Sequence, residues 1–354
     1  MTEQDKTQEI QAQLAAAHSS KTRLNICAGN SKSFFGRASA GEQLDISGHT
    51  GVLNYEPTEL VITARAGTSL NEIETVLAAE NQMLGFEPPA FGKAASLGGT
   101  VACGFSGPRR AFAGSTRDFI LGSTILNGKA ERIHFGGEVM KNVAGYDVSR
   151  LMCGAMGTLG VLLDISIKVL PRPESELTLT FEMDAADALK KVHQLARQSL
   201  PISATCFDGE MLYVRLSGSE GSTRAAYEQL GGDEMADGEN YWQQLKEHEL
   251  AFFHQASNLW RLSLASNSPL LNLSGQQLYE WNGALRWLAS DEDEQHIRAE
   301  VARHGGHAVC FRQHKKSEQV FHPLESGLLK IHRELKRAFD PEAILNPGRM
   351  YAEI

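Results

Sequence analysis

Cysteine is scarce and scattered. The five residues Cys27, Cys103, Cys153, Cys206 and Cys310 form no CxxC pair, which excludes a locally built four-thiolate cluster and a disulfide framework. They read as free thiols of a cytoplasmic protein. No stretch approaches the roughly 20 apolar residues that span a bilayer. The opening MTEQDKTQEIQAQLAAAHSS has no apolar centre of the kind a secretory signal carries. Basic residues are also in deficit, 34 Lys plus Arg against 43 Asp plus Glu for a net charge of −9. That balance argues against nucleic acid as a partner, because phosphate neutralisation needs clustered cations. There is no GxxxxGK[ST] and no GxGxxG opening a helix, so P-loop and Rossmann readings fail. Gly154, Gly157 and Gly160 are spaced GxxGxxG but run into a strand.

What is present in excess is glycine, concentrated in one region: 14 of the 33 glycines fall between Gly92 and Gly160. Such density places backbone close against something. Before that region, a helix is expected from Asp5 to Ala17 and a short strand at Leu24–Cys27. A second strand is expected at Val61–Ala66, followed by a helix started by Ser69 and Glu72 at capping-box spacing. Val161–Leu170 is an apolar strand stopped by Pro171-Arg172-Pro173.

Beyond Pro173, strand and helix patterns alternate at lengths that suit an antiparallel sheet with helices on one face. Strands are expected near Leu177–Phe181, Met211–Leu216, Leu259–Ala265, Ala284–Leu288 and His307–Arg312. Helices are expected at Ala185–Gln198, Thr223–Leu230, Tyr241–Phe253 and Glu292–His304. A last helix, Leu328–Phe339, precedes the tail. The fold class is therefore α+β, with three segments: residues 1–172, a smaller cap-like domain at 173–325, and a helix and tail at 326–354 that return to the first domain.

Two loops of small residues suit an anionic ligand, since consecutive backbone N–H groups form a concavity for a pyrophosphate. One is Ala28-Gly29-Asn30-Ser31-Lys32-Ser33, directly after a strand, with Lys32 as counter-charge. The other runs from Ser96 to Gly107. With their surroundings they carry a resemblance: CAGNSKSFFG, VITARAGTSLNEIETVLAAENQ, PPAFGKAASLGGTVACGFSGPRRAFAGSTRDFILG, KNVAGYDVSRLMCGAMGTLGVLLDISIKVLPRP and FDPEAILNPGRMY, in this order. Over nearly half its length the chain resembles the vanillyl-alcohol-oxidase, or PCMH, type of FAD-binding domain. Within that family it looks most like the FAD-binding subunits of bacterial glycolate oxidases.

The resemblance implies a two-part FAD-binding domain with Ala28 to Ser33 on the pyrophosphate. Pro88, Pro89, Ser96, Leu97, Gly98 and Thr100 would approach the ribityl chain and flavin, with Ala102, Cys103, Gly104 and Ser106 continuing along the cofactor. Gly157, Gly160 and Val161 would pack on the adenosine end, and Asn346 would lie near the flavin. It also implies a larger FAD-linked subunit and an iron–sulfur subunit as partners, and a small 2-hydroxy acid as substrate. Any contact with the inner membrane would then go through those partners. Family members that attach flavin covalently carry a His where this chain has Ala28-Gly29-Asn30, so FAD is expected to be non-covalent. The metal-binding HPxGDGN-like segment of self-sufficient relatives is missing. His304-Gly305-Gly306-His307 and His314 read as a solvated turn, and no metal is expected. No base stands out; Lys141 and Tyr146 are the catalytic candidates, and Arg109, Arg110 and Arg117 are candidates to hold a carboxylate. The tryptophans at 242, 260, 281 and 287 suggest a core with part of the cluster at a partner interface.

Overall fold

The computed structural model describes residues 3–137, 147–313 and 319–354. The chain divides into two compact units. The first comprises residues 3–106, 115–172 and 323–354 and the second 107–114 and 173–322, among the described residues. Lys141, Tyr146 and His314 lie outside the described residues.

The first unit starts with helix α1 (Thr7–Ser20), which buries Ile10, Leu14 and Ala17 at helical spacing. Strands β1 (Leu24–Cys27) and β2 (Glu42–Asp45) pair in parallel. β2 escapes sequence reading because only Leu44 of its four residues is buried. An antiparallel five-stranded sheet follows, built from β3 (Val52–Glu56), β4 (Val61–Arg65), β5 (Ile120–Leu126), β6 (Arg132–Gly136) and β7 (Val161–Lys168) in the order β3-β4-β7-β5-β6. Every residue of β4 is buried, and β7 beside it keeps only Asp164 and Lys168 partly exposed. These near-continuous apolar runs belong to central strands.

Helix α2 (Leu70–Ala79) begins at Ser69 as expected, but the Ser69 side chain makes no capping hydrogen bond. The reciprocal capping box of this unit is instead Ser115 with Asp118. Residues 97–103, read as part of a small-residue loop, form helix α3 (Leu97–Cys103). Ser96 Oγ accepts from the Gly99 N–H at its start. A Cβ at Gly98 would lie 2.7 Å from Ala66 Cβ, so the missing side chain lets α3 lie against the end of β4.

In the second unit, eight antiparallel strands form one sheet. Its longer members are β8 (Ser175–Glu182), β9 (Ile202–Phe207), β10 (Met211–Gly218), β11 (Leu259–Ser263), β12 (Gln276–Glu280), β13 (Leu285–Ala289) and β14 (His307–Arg312), in the order β8-β10-β9-β12-β13-β11-β14. The polar sequence QQLYE hides β12. The expected helix over 241–253 ends earlier, because Gly238–Glu247 is capped by His248 in the left-handed region at φ 58°. All four tryptophans are buried, between 3 and 5% exposed. They are core, which corrects the reading of part of this cluster as an interface. Trp242 Nε1 donates to Thr178 Oγ1, Trp281 Nε1 to the Gly107 carbonyl and Trp287 Nε1 to Glu280 Oε1, the usual way a buried indole is satisfied.

Candidate functional site: a cleft in the first unit

Helix α3, the loop after β1, the turn before β7 and the tail at 346–349 surround a cleft with about 910 Å³ of non-atom space, its open mouth included. Its floor is small by composition. Ala28, Gly29, Asn30, Ser31, Lys32 and Ser33 all line it, as do Ser96, Gly98, Ala102 and Cys103 from the helical segment. Gly157, Gly160 and Asn346 complete the expected residues found there. Seven expected residues do not line it. Pro88, Pro89, Leu97 and Val161 are buried beneath the surface. Thr100 is fully buried with its hydroxyl unpartnered among the described residues. Gly104 terminates α3 at φ 65°, and Ser106 Oγ is engaged by the Thr116 N–H.

The loop after β1 is pressed into place by its neighbours. A Cβ on Gly29 would overlap the Ala94 carbonyl oxygen, so only glycine permits this close approach. Asn30 turns the chain at φ 55° and its carbonyl accepts from the Ser33 N–H at 3.1 Å. Among the described residues, the N–H groups of Gly29, Asn30 and Ser31 make no backbone or side-chain hydrogen bond. They are donors at the cleft surface available to a ligand.

Two cations accompany them. Lys32 is buried, with Nζ donating to the Ala90 carbonyl at 3.1 Å. Arg349 also lines the cleft; its Nη1 and Nη2 donate to the Arg37, Ser33 and Phe35 carbonyls. Sequence reasoning passed over Arg349, although it stands in the quoted tail, because its neighbours are more than 300 residues earlier in the chain. Both cations act on Cys103, yet burial prevails and pushes its thiol up to about 11. Burial likewise raises Cys27, with Asp45 adding to it, and lifts Cys153 to about 12. These thiols stay protonated near neutrality and are poor nucleophiles.

Asn346 does a different job from that expected of a group offered to a ligand. Its Oδ1 accepts from the Ile26 N–H at 2.7 Å, and its Nδ2 donates to the Met156 carbonyl at 2.7 Å. The amide thus ties β1 to the turn before β7, across the cleft wall. Apolar Ile46, Met156 and Leu162 line the same space; Leu162 belongs to the stretch expected at the adenosine end, whereas nothing local marks Ile46 or Met156.

Unbonded N–H groups, a lysine and an arginine suit a ligand carrying two negative charges on adjacent phosphates. Small and apolar walls suit the flat rings of a dinucleotide. The donor set therefore fits FAD. Among the described residues, no group of three or more His, Cys, Asp or Glu is placed to hold a metal ion. His304 Nε2 lies 3.8 Å from Glu300 Oε1. Of the arginines considered for a carboxylate, Arg109 pairs with Glu176, Arg117 is exposed, and the Arg110 guanidinium stacks on Trp281.

Comparison with known proteins agrees. Residues 3–136 match the family model described as "FAD binding domain". The chain is 48% identical over 354 residues, the whole of both chains, to glycolate oxidase subunit GlcE of Escherichia coli (strain K12). It is 31% identical over 166 residues to D-lactate dehydrogenase of Anaerostipes hadrus, covering 45% of this chain and 34% of that one. It is 29% identical over 166 residues to glycolate oxidase subunit GlcD of Bacillus subtilis (strain 168), covering 46% and 35%. An alkyldihydroxyacetonephosphate synthase structure shares the fold, with a TM-score of 0.66 at 15% identity over 96% of this chain and 74% of that one. The chain belongs to the PCMH-type family of FAD-binding proteins, in the branch of glycolate oxidase subunit GlcE.

Proposed function

We propose that this chain is the FAD-binding subunit of a multi-subunit glycolate oxidase that converts glycolate to glyoxylate. It works beside a larger FAD-linked subunit and an iron–sulfur subunit. The observation that carries the reading is the identity with GlcE along the full length of both chains. In this reading the N–H groups of Gly29, Asn30 and Ser31 hold the pyrophosphate, with Lys32 and Arg349 balancing its charge. Ser96, Gly98, Ala102 and Cys103 leave room along the cofactor, while Gly157, Gly160 and Leu162 meet its adenosine end. Bound there, FAD supplies an acceptor for the two electrons that leave the hydroxyl-bearing carbon. The chain's own contribution is binding, charge balance and a wall that keeps Cys103 protonated. Among the described residues no side chain in the cleft is placed as a base for the substrate. That fits a subunit whose flavin relays electrons within the assembly.

No described helix is long and apolar enough to cross a membrane. Contact with the inner membrane, where it occurs, goes through the partner subunits.

The test is glycolate-driven dye reduction by the isolated, FAD-loaded chain beside the reconstituted three-subunit assembly. The assembly is expected to turn over and the isolated chain to remain at background. Turnover by the isolated chain at the assembly's rate would instead make it a self-sufficient oxidase.

A further inference from the structure

His49 is completely buried, and three walls of the cleft converge on it. It closes the turn after β2, where its N–H donates to the Ile46 carbonyl at 3.0 Å. The Ile46 N–H in turn donates to the Cys27 carbonyl at 2.9 Å, and Ile46 and Cys27 both line the cleft. On its other side the His49 carbonyl accepts from the Gly67 N–H at 2.9 Å. Next to Gly67, the Ala66 carbonyl accepts from the N–H of Gly98 at 2.7 Å, a cleft residue of α3. The imidazole Nε2 faces Asp164 Oδ1 at 3.6 Å, on β7 two residues beyond the cleft residue Leu162.

Residues 3–6 grip the ring from outside. The Lys6 N–H donates to His49 Nδ1 at 3.1 Å. Gln4 and Thr50 exchange main-chain hydrogen bonds of 3.0 and 3.1 Å, and Arg65 pairs with Glu3 at 3.0 Å and Asp5 at 3.5 Å. A Cβ on Gly48 would lie 2.7 Å from Lys6 Cε, so the lysine stem crosses the turn itself. A nitrogen that accepts from an N–H carries no proton, so the ring is neutral with its proton on Nε2. Among the described residues that Nε2 has no hydrogen-bond partner, since 3.6 Å to Asp164 is too long for one. Asp5 Oδ1 stands 3.8 Å from Nδ1 and already accepts from the Thr7 N–H. A buried polar atom left unpaired costs free energy, and a leucine would fill this space without that cost. What an aliphatic side chain cannot supply is an acceptor for Lys6.

We propose that His49 is a positioning residue for the FAD cleft: held through Nδ1 by the Lys6 N–H, it sets the spacing of the walls at Ile46, Gly98 and β7, and with it the affinity for the cofactor. The proposal rests on the reading that FAD occupies this cleft.

The experiment is titration of the flavin-stripped full chain with FAD, read from the change in flavin fluorescence, with Tm measured on each variant. His49→Leu should weaken FAD by about tenfold or more, the loss of one hydrogen bond's worth of positioning. His49→Asn puts an amide oxygen where Nδ1 stands and should bind FAD nearly as the wild type does. His49→Gln reaches past that position, leaves Lys6 without its acceptor and should lose affinity as His49→Leu does. If His49→Leu fails to fold, His49→Gln against His49→Asn carries the same comparison. A lowered Tm with wild-type FAD affinity in His49→Leu and His49→Gln would make His49 a core residue only and overturn the proposal, as would equal losses in His49→Asn and His49→Gln. Gly99→Leu separates the two readings. Undiminished FAD affinity there would remove the cleft as the cofactor site, and this proposal with it. Lost affinity there, beside wild-type affinity in His49→Gln, would remove this proposal alone.

Discussion

Lys336 and Asp340 form an ion pair of 2.9 Å with almost no exposure to solvent. The lysine Nζ also donates to the Thr158 and Leu345 carbonyls, and the aspartate accepts from the Ile344 and Leu345 N–H groups. One turn of the helix Ser326–Phe339 thereby clasps both the turn before β7 and the tail that lines the cleft. Removing one partner strands the other charge in the interior. Asp340→Ala is expected to cost about 3–5 kcal/mol, read from urea unfolding monitored by circular dichroism. A loss below about 1 kcal/mol would mean that water reaches the site.

Glycines that look alike in the sequence do different work. A Cβ at Gly98 meets Ala66 of the neighbouring strand at 2.7 Å, whereas one at Gly99 meets only Ser96 Oγ, at 3.1 Å. Gly98→Ala should therefore destabilise the fold by about 1–3 kcal/mol through overpacking. Gly99→Leu should leave unfolding nearly unchanged and lose flavin, because Gly99 lines the cleft. Gly221, with nothing within 4 Å of its Cβ position, is the control: Gly221→Leu should keep both. The ratio of flavin to protein absorbance reads all three, and equal flavin in all of them would move the cofactor elsewhere.

FAD should leave with acid. The loop proposed to meet the pyrophosphate offers Ala28, Gly29 and Asn30 and no histidine. The cysteines lining the cleft hold their protons. Trichloroacetic acid precipitation is expected to leave the yellow colour in the supernatant. Colour retained by the pellet would show a covalent bond.

Alkaline pH should weaken the protein. Cys103 and Cys153 have folded values near 11 and 12, raised by burial from an ordinary 9.0. Between about 9 and 11 the unfolded chain releases these protons while the folded chain keeps them. Stability then falls as pH rises, the sign required when the folded state binds more protons. A Tm series from pH 8 to 11 should decline more steeply for the wild type than for Cys103→Ala. Parallel slopes would show that Cys103 contributes nothing to the linkage.

The small-residue loop at 28–33, which lines the cleft, was legible because every part of that signal is local. Small residues follow a strand directly at Cys27, and the loop's own backbone supplies the donors. Helix α3 was illegible because Gly98 and Gly99 lower helix propensity, and its stability comes from packing on Ala66, distant in sequence. Arg349 and the Lys336–Asp340 pair were missed for a related reason, since their contacts join residues near 30 or 158 to the tail. The tryptophans misled in the other direction. Their clustering between 242 and 287 resembles an interface until their burial shows them in the core.

The cleft's walls are made at widely separated times during synthesis. The loop at 28–33 and helix α3 emerge early, but Asn346 and Arg349 follow only after the whole stretch 173–322 of the second unit has been translated. The second unit's main stretch is continuous and complete before then, and domains fold largely as units during synthesis. If FAD occupies this cleft as proposed, it meets an unfinished site throughout elongation, and loading is a late event. A released chain ending before residue 346 should carry a folded second unit and no capacity to retain flavin.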